Sequence, residues 1–348
     1  MKPAPKGWCP TARRPMASGD GLLLRPHLRH GQLPADLARH LAMLAVQYGN
    51  GQLDLTQRGN LQLRGIRPEH YDAMLAALEA RGIADAPAAA ILTSPLAGLD
   101  SSCADGLWAM ADAVELLLRD VVLPVKFLCL LDGGGVWPLH LPADLHCRPP
   151  FDAAAIAAAI QHCATQPRRR LPPPAAVAAP GYLAACHVLA LAPPYGSLDA
   201  AMLNRLADLS EQYGNGQIRL APWRLILLPG LAPDAVPAAC RAAQAAGFIA
   251  DAADPRRMIQ VCPGAPHCAS GLGDTRQLAA RLAPHLPQDG GITHIAGCAK
   301  GCAHGGPAAR VIVAQARQSY GLGFDSAADA ALPYNTLQPD QLLAMLPS

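Results

Sequence analysis

Charge is in short supply in this chain. Lysine and arginine total 28 and aspartate and glutamate 26, a net of +2 over 348 residues. That balance offers no electrostatic footprint for a nucleic-acid backbone. The one basic run, Arg168-Arg169-Arg170, stands beside Pro172-Pro173-Pro174 and reads as part of a solvated linker. Long apolar runs are missing too: the alanine-rich segment around Ala88–Leu92 is short and broken by proline, so no membrane span is expected. No secretory leader is recognisable, which points to the cytoplasm. A G-x-G-x-x-G fingerprint following a strand is also lacking. Neither Gly133–Gly135 nor Gly271-Leu-Gly273 fits it, so nicotinamide binding is not encoded locally. Aromatics are few, at 4%, whereas 51% of the residues are hydrophobic, much of that alanine. The length suits two or three domains with ample cores.

Cysteine is present in quantity. Four of the eleven fall late, as Cys262-Pro-Gly-Ala-Pro-His-Cys268 and Cys298-Ala-Lys-Gly-Cys302. Two close pairs in Gly/Pro-rich loops bring four thiolates to one centre, the donor set of an iron–sulfur cubane. Gly264, Gly297 and Gly301 let backbone approach a bulky inorganic ligand. Three other readings compete: small buried hydrophobes, disulfides and structural zinc. The clustering speaks against the first, and an odd total in a large chain against the second. Zinc modules favour other spacings, although His267 and His304 keep that reading open. The remaining cysteines (Cys9, Cys103, Cys129, Cys147, Cys163, Cys186 and Cys240) are scattered singly and read as structural.

The chain is internally duplicated. Tyr48-Gly-Asn-Gly-Gln-Leu-Asp-Leu55 returns as Tyr213-Gly-Asn-Gly-Gln-Ile-Arg-Leu220, an offset of 165 residues that also maps Gly65 onto Gly230, Pro68 onto Pro233 and Gly82 onto Gly247. Each copy predicts one unit. An apolar strand (Leu22–Leu24; Val188–Leu191) precedes a helix with apolar residues at Leu37, Leu41 and Leu44, or Met202, Leu206 and Leu209. A hairpin follows the Gly-Asn-Gly turn, and a second helix opens at the proline and stops at the last glycine. Two such halves predict a pseudo-twofold arrangement with a cleft between them.

This layout, the two cysteine pairs and Thr56-Gln-Arg58 resemble the sulfite/nitrite reductase superfamily over nearly the whole chain. The resemblance implies an α+β fold: two ferredoxin-like half-domains related by pseudo-twofold duplication, plus two larger α/β domains. The corresponding boundaries are 15–83 (first half-domain), 84–165 (first α/β domain), 166–180 (linker), 181–250 (second half-domain) and 251–348 (cluster-binding α/β domain). Departures from the siroheme enzymes fix the branch. Their Thr-x-Arg-Gln is Thr56-Gln-Arg-Gly59 here, their Lys-x-Lys is reduced to Lys126 followed by Phe127 and Leu128, and an upstream arginine has no counterpart in Ala90–Pro95. Reducing sulfite or nitrite needs several such cations. The sequence is instead similar to the precorrin-3B synthase family at Gly7-Trp-Cys-Pro10, Met16-Ala-Ser-Gly-Asp-Gly21, Arg58–Gly65, Ser94-Pro-Leu-Ala-Gly-Leu-Asp100, Leu131-Asp-Gly-Gly-Gly135, Pro222-Trp-Arg224 and both cysteine motifs.

That second resemblance implies oxygen-dependent hydroxylation of precorrin-3A with γ-lactone formation, in aerobic cobalamin biosynthesis. It implies a 4Fe–4S cluster on Cys262, Cys268, Cys298 and Cys302, no siroheme, and a mononuclear non-heme iron, with His267, His294, His304 and Asp274 as candidate ligands. Molecular oxygen and an external donor, a ferredoxin or an NADH-dependent reductase, are the implied partners. Precorrins carry many carboxylates, so guanidinium forks are expected around the site. Strand alternation puts Arg58, Asn60, Gln62 and Arg64 on one face, with Arg224 in the neighbouring register of the second copy. These five are the candidate substrate-binding residues, and Arg58, Lys126 and Lys300 the candidate catalytic ones. Lys300, between the second pair of cysteines, would favour a reduced cluster. Trp8, Trp108 and Trp137 read as packing or surface groups, and Trp223 as a core residue placed where it could stack on a macrocycle. A siroheme-dependent sulfite or nitrite reductase and a zinc-stabilised tetrapyrrole-binding module are the alternatives.

Overall fold

The computed structural model describes residues 9–86, 90–124, 126–139, 141–166, 178–287 and 289–346. Trp8, the arginine and proline runs of the expected linker, and residues 87–89 lie outside them. Strands Met16–Ser18 (β1) and Gly21–Leu24 (β2) form a hairpin, and Gln32–Pro34 (β3) leads into helix Ala35–Tyr48 (α1). Strands Gln52–Leu55 (β4) and Leu61–Ile66 (β5) pair as the next hairpin, before helix Tyr71–Glu79 (α2). Leu37, Leu41 and Leu44 of α1 face inward together with Ala38, Ala42 and Ala45, which explains the helical spacing of the leucines. A parallel sheet of Ala90–Thr93 (β6), Leu128–Leu131 (β7) and Leu145–Cys147 (β8) follows, with helices Leu107–Leu117 (α3) and Ala153–Ala164 (α4).

The second half repeats the first: Gly181–Leu183 (β9), Val188–Leu191 (β10), Ser197–Asp199 (β11), helix Ala200–Tyr213 (α5), Gln217–Ala221 (β12), Leu225–Pro229 (β13) and helix Val236–Ala245 (α6). The Gly-Asn-Gly identity has a local cause. Asn50 Oδ1 accepts from the Gln52 amide at 3.1 Å, and Asn215 Oδ1 from the Gln217 amide at 3.2 Å. Each asparagine packs over a glycine with positive φ: a Cβ on Gly65 would sit 2.4 Å from the Asn50 side chain, and one on Gly230 3.1 Å from that of Asn215.

Alternation did not reveal that the halves exchange a strand. β3 pairs with β12, and β11 with β4, both antiparallel, so the two five-stranded sheets run β1-β2-β5-β4-β11 and β3-β12-β13-β10-β9. The exchange is symmetric in detail, since Ala35 N donates to Gly216 O at 3.0 Å and Ala200 N to Gly51 O at 2.9 Å. Helices α1 and α5 pack together. Arg39 of α1 reaches Asp208 and Glu211 of α5, and leucines of both halves share one buried cluster. The fold is therefore α+β, with two ferredoxin-like halves fused around a common core.

The last segment builds a fourth sheet from Ile259–Val261 (β14), Thr293–Ala296 (β15), Ala308–Ala316 (β16), Ser319–Ser326 (β17) and Tyr334–Leu337 (β18). Its first three strands are parallel. Helices Thr275–Leu282 (α7) and Pro339–Met345 (α8) complete it, and β14 and β15 feed the two cysteine loops. In the three-stranded parallel sheet, the motifs Ser94–Asp100 and Leu131–Gly135 lock together. Burial works to raise the Asp100 and Asp132 carboxyls, but hydrogen bonds from Ser102, Val136, Gly134 and Leu139 hold both below the usual carboxylate range. Among the described residues no helix is long and apolar enough to cross a membrane.

Candidate functional site

The cysteine loops leave parallel strands at neighbouring positions, which is why residues distant in sequence converge. The Gly297 amide donates to Cys262 Sγ at 3.1 Å. A Cβ on Gly297 would crowd Gly264, Cys262 Sγ and the Cα of Gly271 at 3.0–3.4 Å, so the two loops are closed over each other by glycine. Burial pushes the Cys262 and Cys302 thiols up. Lys300 pulls Cys302 back, while Cys262, Cys298 and Cys268 push it further. Cys262 accepts from backbone donors, and Cys262, Cys268 and Cys298 lie close enough to act on Cys302, so the four, taken as thiolates, fit the donor set of an iron–sulfur cluster.

The non-heme iron candidates are not gathered. The Asp274 carboxylate accepts from the Gln277 amide at 3.0 Å and caps α7. His267 lies beside Asp20, with Nδ1 to Oδ2 at 3.3 Å. His294 is fully buried with both ring nitrogens unpartnered among the described residues. It meets His304 edge-on at 5.7 Å, and burial, with His304 adding to it, pushes its imidazole down to about 4. No three His, Cys, Asp or Glu side chains among the described residues form a group able to hold a single ion. The spacing of a one-ion site is tight, about 2.3 Å from metal to each sulfur for zinc.

Beside the cysteines the duplicated hairpins meet tip to tip. Trp223 N donates to Gln57 O at 3.0 Å, and a Cβ on Gly59 (φ 70°) would strike the Ala221 carbonyl. A cavity of about 500 Å³ opens there, walled by Arg58, Trp223 and Arg224 from the tips, by Arg256 and Arg257 from the approach to β14 and by Gln260 within it. A second, of about 220 Å³, lies between Arg224, Arg276, Tyr195, Cys262 and Cys302. Ala303 borders both, so the second cysteine loop forms a shared wall.

The expected substrate residues separate. Arg58 is half-buried and borders the larger cavity, with Nη1 donating to the Lys126 carbonyl at 3.5 Å. Arg224 is half-buried and borders both cavities, and desolvation pushes its guanidinium below its ordinary value. Gln62 borders the smaller cavity. Asn60 does not belong with them. Its amide donates to Thr56 Oγ1 at 3.0 Å and its side chain to the Arg58 carbonyl at 3.4 Å, so it closes the hairpin turn. Arg64 borders the smaller cavity as well, but its guanidinium is engaged internally. Only 4% exposed, it donates to Asp20 (3.1 Å), Asp54 (3.0 Å), Ser18 (3.1 Å) and the His267 carbonyl (2.6 Å). It is an internal cross-link. Lys126 is exposed and meets Arg58 through its backbone, and Lys300 acts on Cys302 from within the loop. Arg256, Arg257, Arg276 and Tyr195 were not foreseen. A signal existed in Asp254-Pro-Arg-Arg257, just ahead of the first cysteine pair.

Residues 14–81 and 184–246 match the family described as "Nitrite/Sulfite reductase ferredoxin-like half domain". The solved structure of the Mycobacterium tuberculosis NirA protein superimposes with a TM-score of 0.66, covering 93% of this chain and 79% of that one at 16% identity, a likeness of fold. Sulfite reductase (ferredoxin) 2 of Mycolicibacterium paratuberculosis is 27% identical over 29% of this chain and 18% of its own length. Fold and duplicated halves thus define a nitrite/sulfite reductase-like protein. A precorrin-3B synthase from Sinorhizobium is 30% identical over 93% of this chain and 84% of its own. The chain belongs to the precorrin-3B synthase family.

Proposed function

We propose that the protein hydroxylates precorrin-3A with molecular oxygen and forms its γ-lactone, as its family relationship suggests. The observation that carries this reading is the arginine-walled cavity lined in part by Ala303, His304 and Gly305, which follow Cys302. Arg58, Arg224, Arg256 and Arg257 border it, Arg256 being already held by Asp254. A polycarboxylate macrocycle needs such a wall, because each guanidinium fork matches a carboxylate. Cys262, Cys268, Cys298 and Cys302 would hold a 4Fe–4S cluster, which supplies single-electron transfer at the cavity edge. Trp223 offers a ring face to the macrocycle. Arg58 and Arg224 orient its carboxylates, Gln62 borders the same space, and Lys300 sets the charge beside Cys302. One oxygen atom enters the substrate and the other leaves as water, consuming two electrons from an external ferredoxin or reductase in the cytoplasm and two protons from solvent.

The test is anaerobic purification with iron and acid-labile sulfide quantitation, then incubation with precorrin-3A, a reductant and isotopic oxygen. Mass spectrometry should find one labelled oxygen in the lactone product. Absence of label, or a siroheme spectrum in the purified protein, would defeat the reading. Arg58→Ala should weaken binding of the polycarboxylate tetrapyrrole by ~1.5–3 kcal/mol, the worth of a charge-assisted contact. Unchanged affinity in an equilibrium titration would remove Arg58 from the site.

A further inference from the structure

The smaller cavity carries a positive charge that its own walls leave incompletely answered. Arg276 stands in the first turn of α7, and its Nη2 donates to Asp54 Oδ1. Asp54 is already shared, since its other oxygen accepts from Arg64 Nη1 at 3.0 Å. Nε and Nη1 of Arg276 are sealed from solvent and have no hydrogen-bond partner among the described residues. Across the cavity, Arg224 reaches only as far as a neutral acceptor, Gln260 Oε1 at 3.3 Å. Burial lowers the Arg224 guanidinium below its ordinary value; Asp54 opposes this and the Arg276 charge adds to it. Arg64 also borders this space of about 220 Å³ but is answered by Asp20 and Asp54, so the incompletely answered pair is Arg224 and Arg276, which shares Asp54 with Arg64. Buried donors without acceptors and like charges facing each other are both costly, and one anion between them relieves both.

We infer that this cavity is a carboxylate subsite in which Arg276 and Arg224 jointly grip one carboxylate arm of the tetrapyrrole. The inference rests on the proposed function and extends it. The two cavities share Gln57, Tyr195, Gly196, Arg224 and Ala303, so a ring in the larger one can extend an arm into the smaller. Cys262 and Cys302 line the subsite. The grip therefore determines which edge of the ring faces the cysteines, and Arg276 is a positioning residue for the macrocycle. Asp54 orients it by holding Nη2, and Nε and Nη1 are the donors still without a partner among the described residues.

The test is a fluorescence titration of uroporphyrin, an octacarboxylate macrocycle, against the purified protein and Arg276→Gln, Arg224→Gln and double variants. Each single variant should bind about 10-fold or more weakly, the scale of one charge-assisted contact. The double variant should lose little beyond the worse single, because both side chains read the same carboxylate. The fully esterified porphyrin should not distinguish the wild type from the variants. Arg276→Lys, which keeps the charge but not the fork, should recover only part of the affinity. Wild-type affinity in Arg276→Gln, or fully additive losses, would overturn the shared grip. Inorganic phosphate binding in an Arg276-dependent manner alongside bound porphyrin would reassign the cavity to a free anion. Should the wild type fail to bind the porphyrin at all, the macrocycle reading itself falls, an outcome separate from a failure of Arg276 alone.

Discussion

Cys298→Ser should yield protein with background iron and acid-labile sulfide, no visible cluster absorbance and no turnover. Serine preserves the shape of the side chain, and the local turn in which Gly301 N donates to Cys298 O at 3.3 Å can persist. What serine cannot supply is a soft thiolate. The remaining three cysteines leave the donor set one ligand short, and the Gly297 amide would still point at Cys262 Sγ. Because metal binding and ordering of its ligand loops are linked, the thermal transition should fall together with the iron content. Cys240→Ser, on α6 in the second half, is the matched control and should retain both iron and activity. A Cys298→Ser protein with a full complement of iron and sulfide would sink the four-cysteine assignment. One stoichiometric zinc ion in the wild type, with no iron or sulfide, would keep the ligands but overturn the cluster.

The duplication was legible because its devices are local. An asparagine turn and the glycine beneath it can be read from a short stretch of chain, and the 165-residue offset held through β3, α1 and β4. The exchange of β3 and β11 was not legible, because three-residue strands such as Gln32–Pro34 are too short to show alternation. The substrate face shows a second limit. Alternation correctly placed Gln62 and Arg64 opposite Leu61 and Leu63, but it tells which side a residue takes and not what covers that side. The loop carrying His267 covers Arg64 from far along the chain. Asn60 was misplaced for another reason: its strand begins one residue later, and Thr56 draws it into the turn. Arg276 went unnoticed because an arginine in a first helical turn has an ordinary surface explanation. Only the fold sets it beside Asp54 and Cys262.

Arg64→Met should destabilise the protein by about 3–5 kcal/mol, the range for removing one partner from a buried charge network. Methionine keeps most of the side-chain volume, so the loss isolates the polar contacts. Two carboxylates depend on this guanidinium: Asp20, whose side chain is 7% exposed, and Asp54, at 13%. Asp54 would retain Arg276, and Asp20 would retain Asn50 at 3.2 Å, which places the cost toward the lower end of that range. The cross-link also crosses an important boundary. Arg64 Nη2 holds the carbonyl of His267, immediately before Cys268, at 2.6 Å, so β5 of the first half tethers the first cysteine loop. Iron should therefore leave Arg64→Met faster under a chelator challenge than it leaves the wild type, even at temperatures where the variant stays folded. These two effects separate the cross-link from the role that strand alternation suggested. A substrate-binding arginine would lose tetrapyrrole affinity with little change in denaturant midpoint or iron retention. That pattern, if measured, would return Arg64 to the substrate face; a lowered midpoint with accelerated iron loss fixes it as the strut between the duplicated core and the cysteine loop.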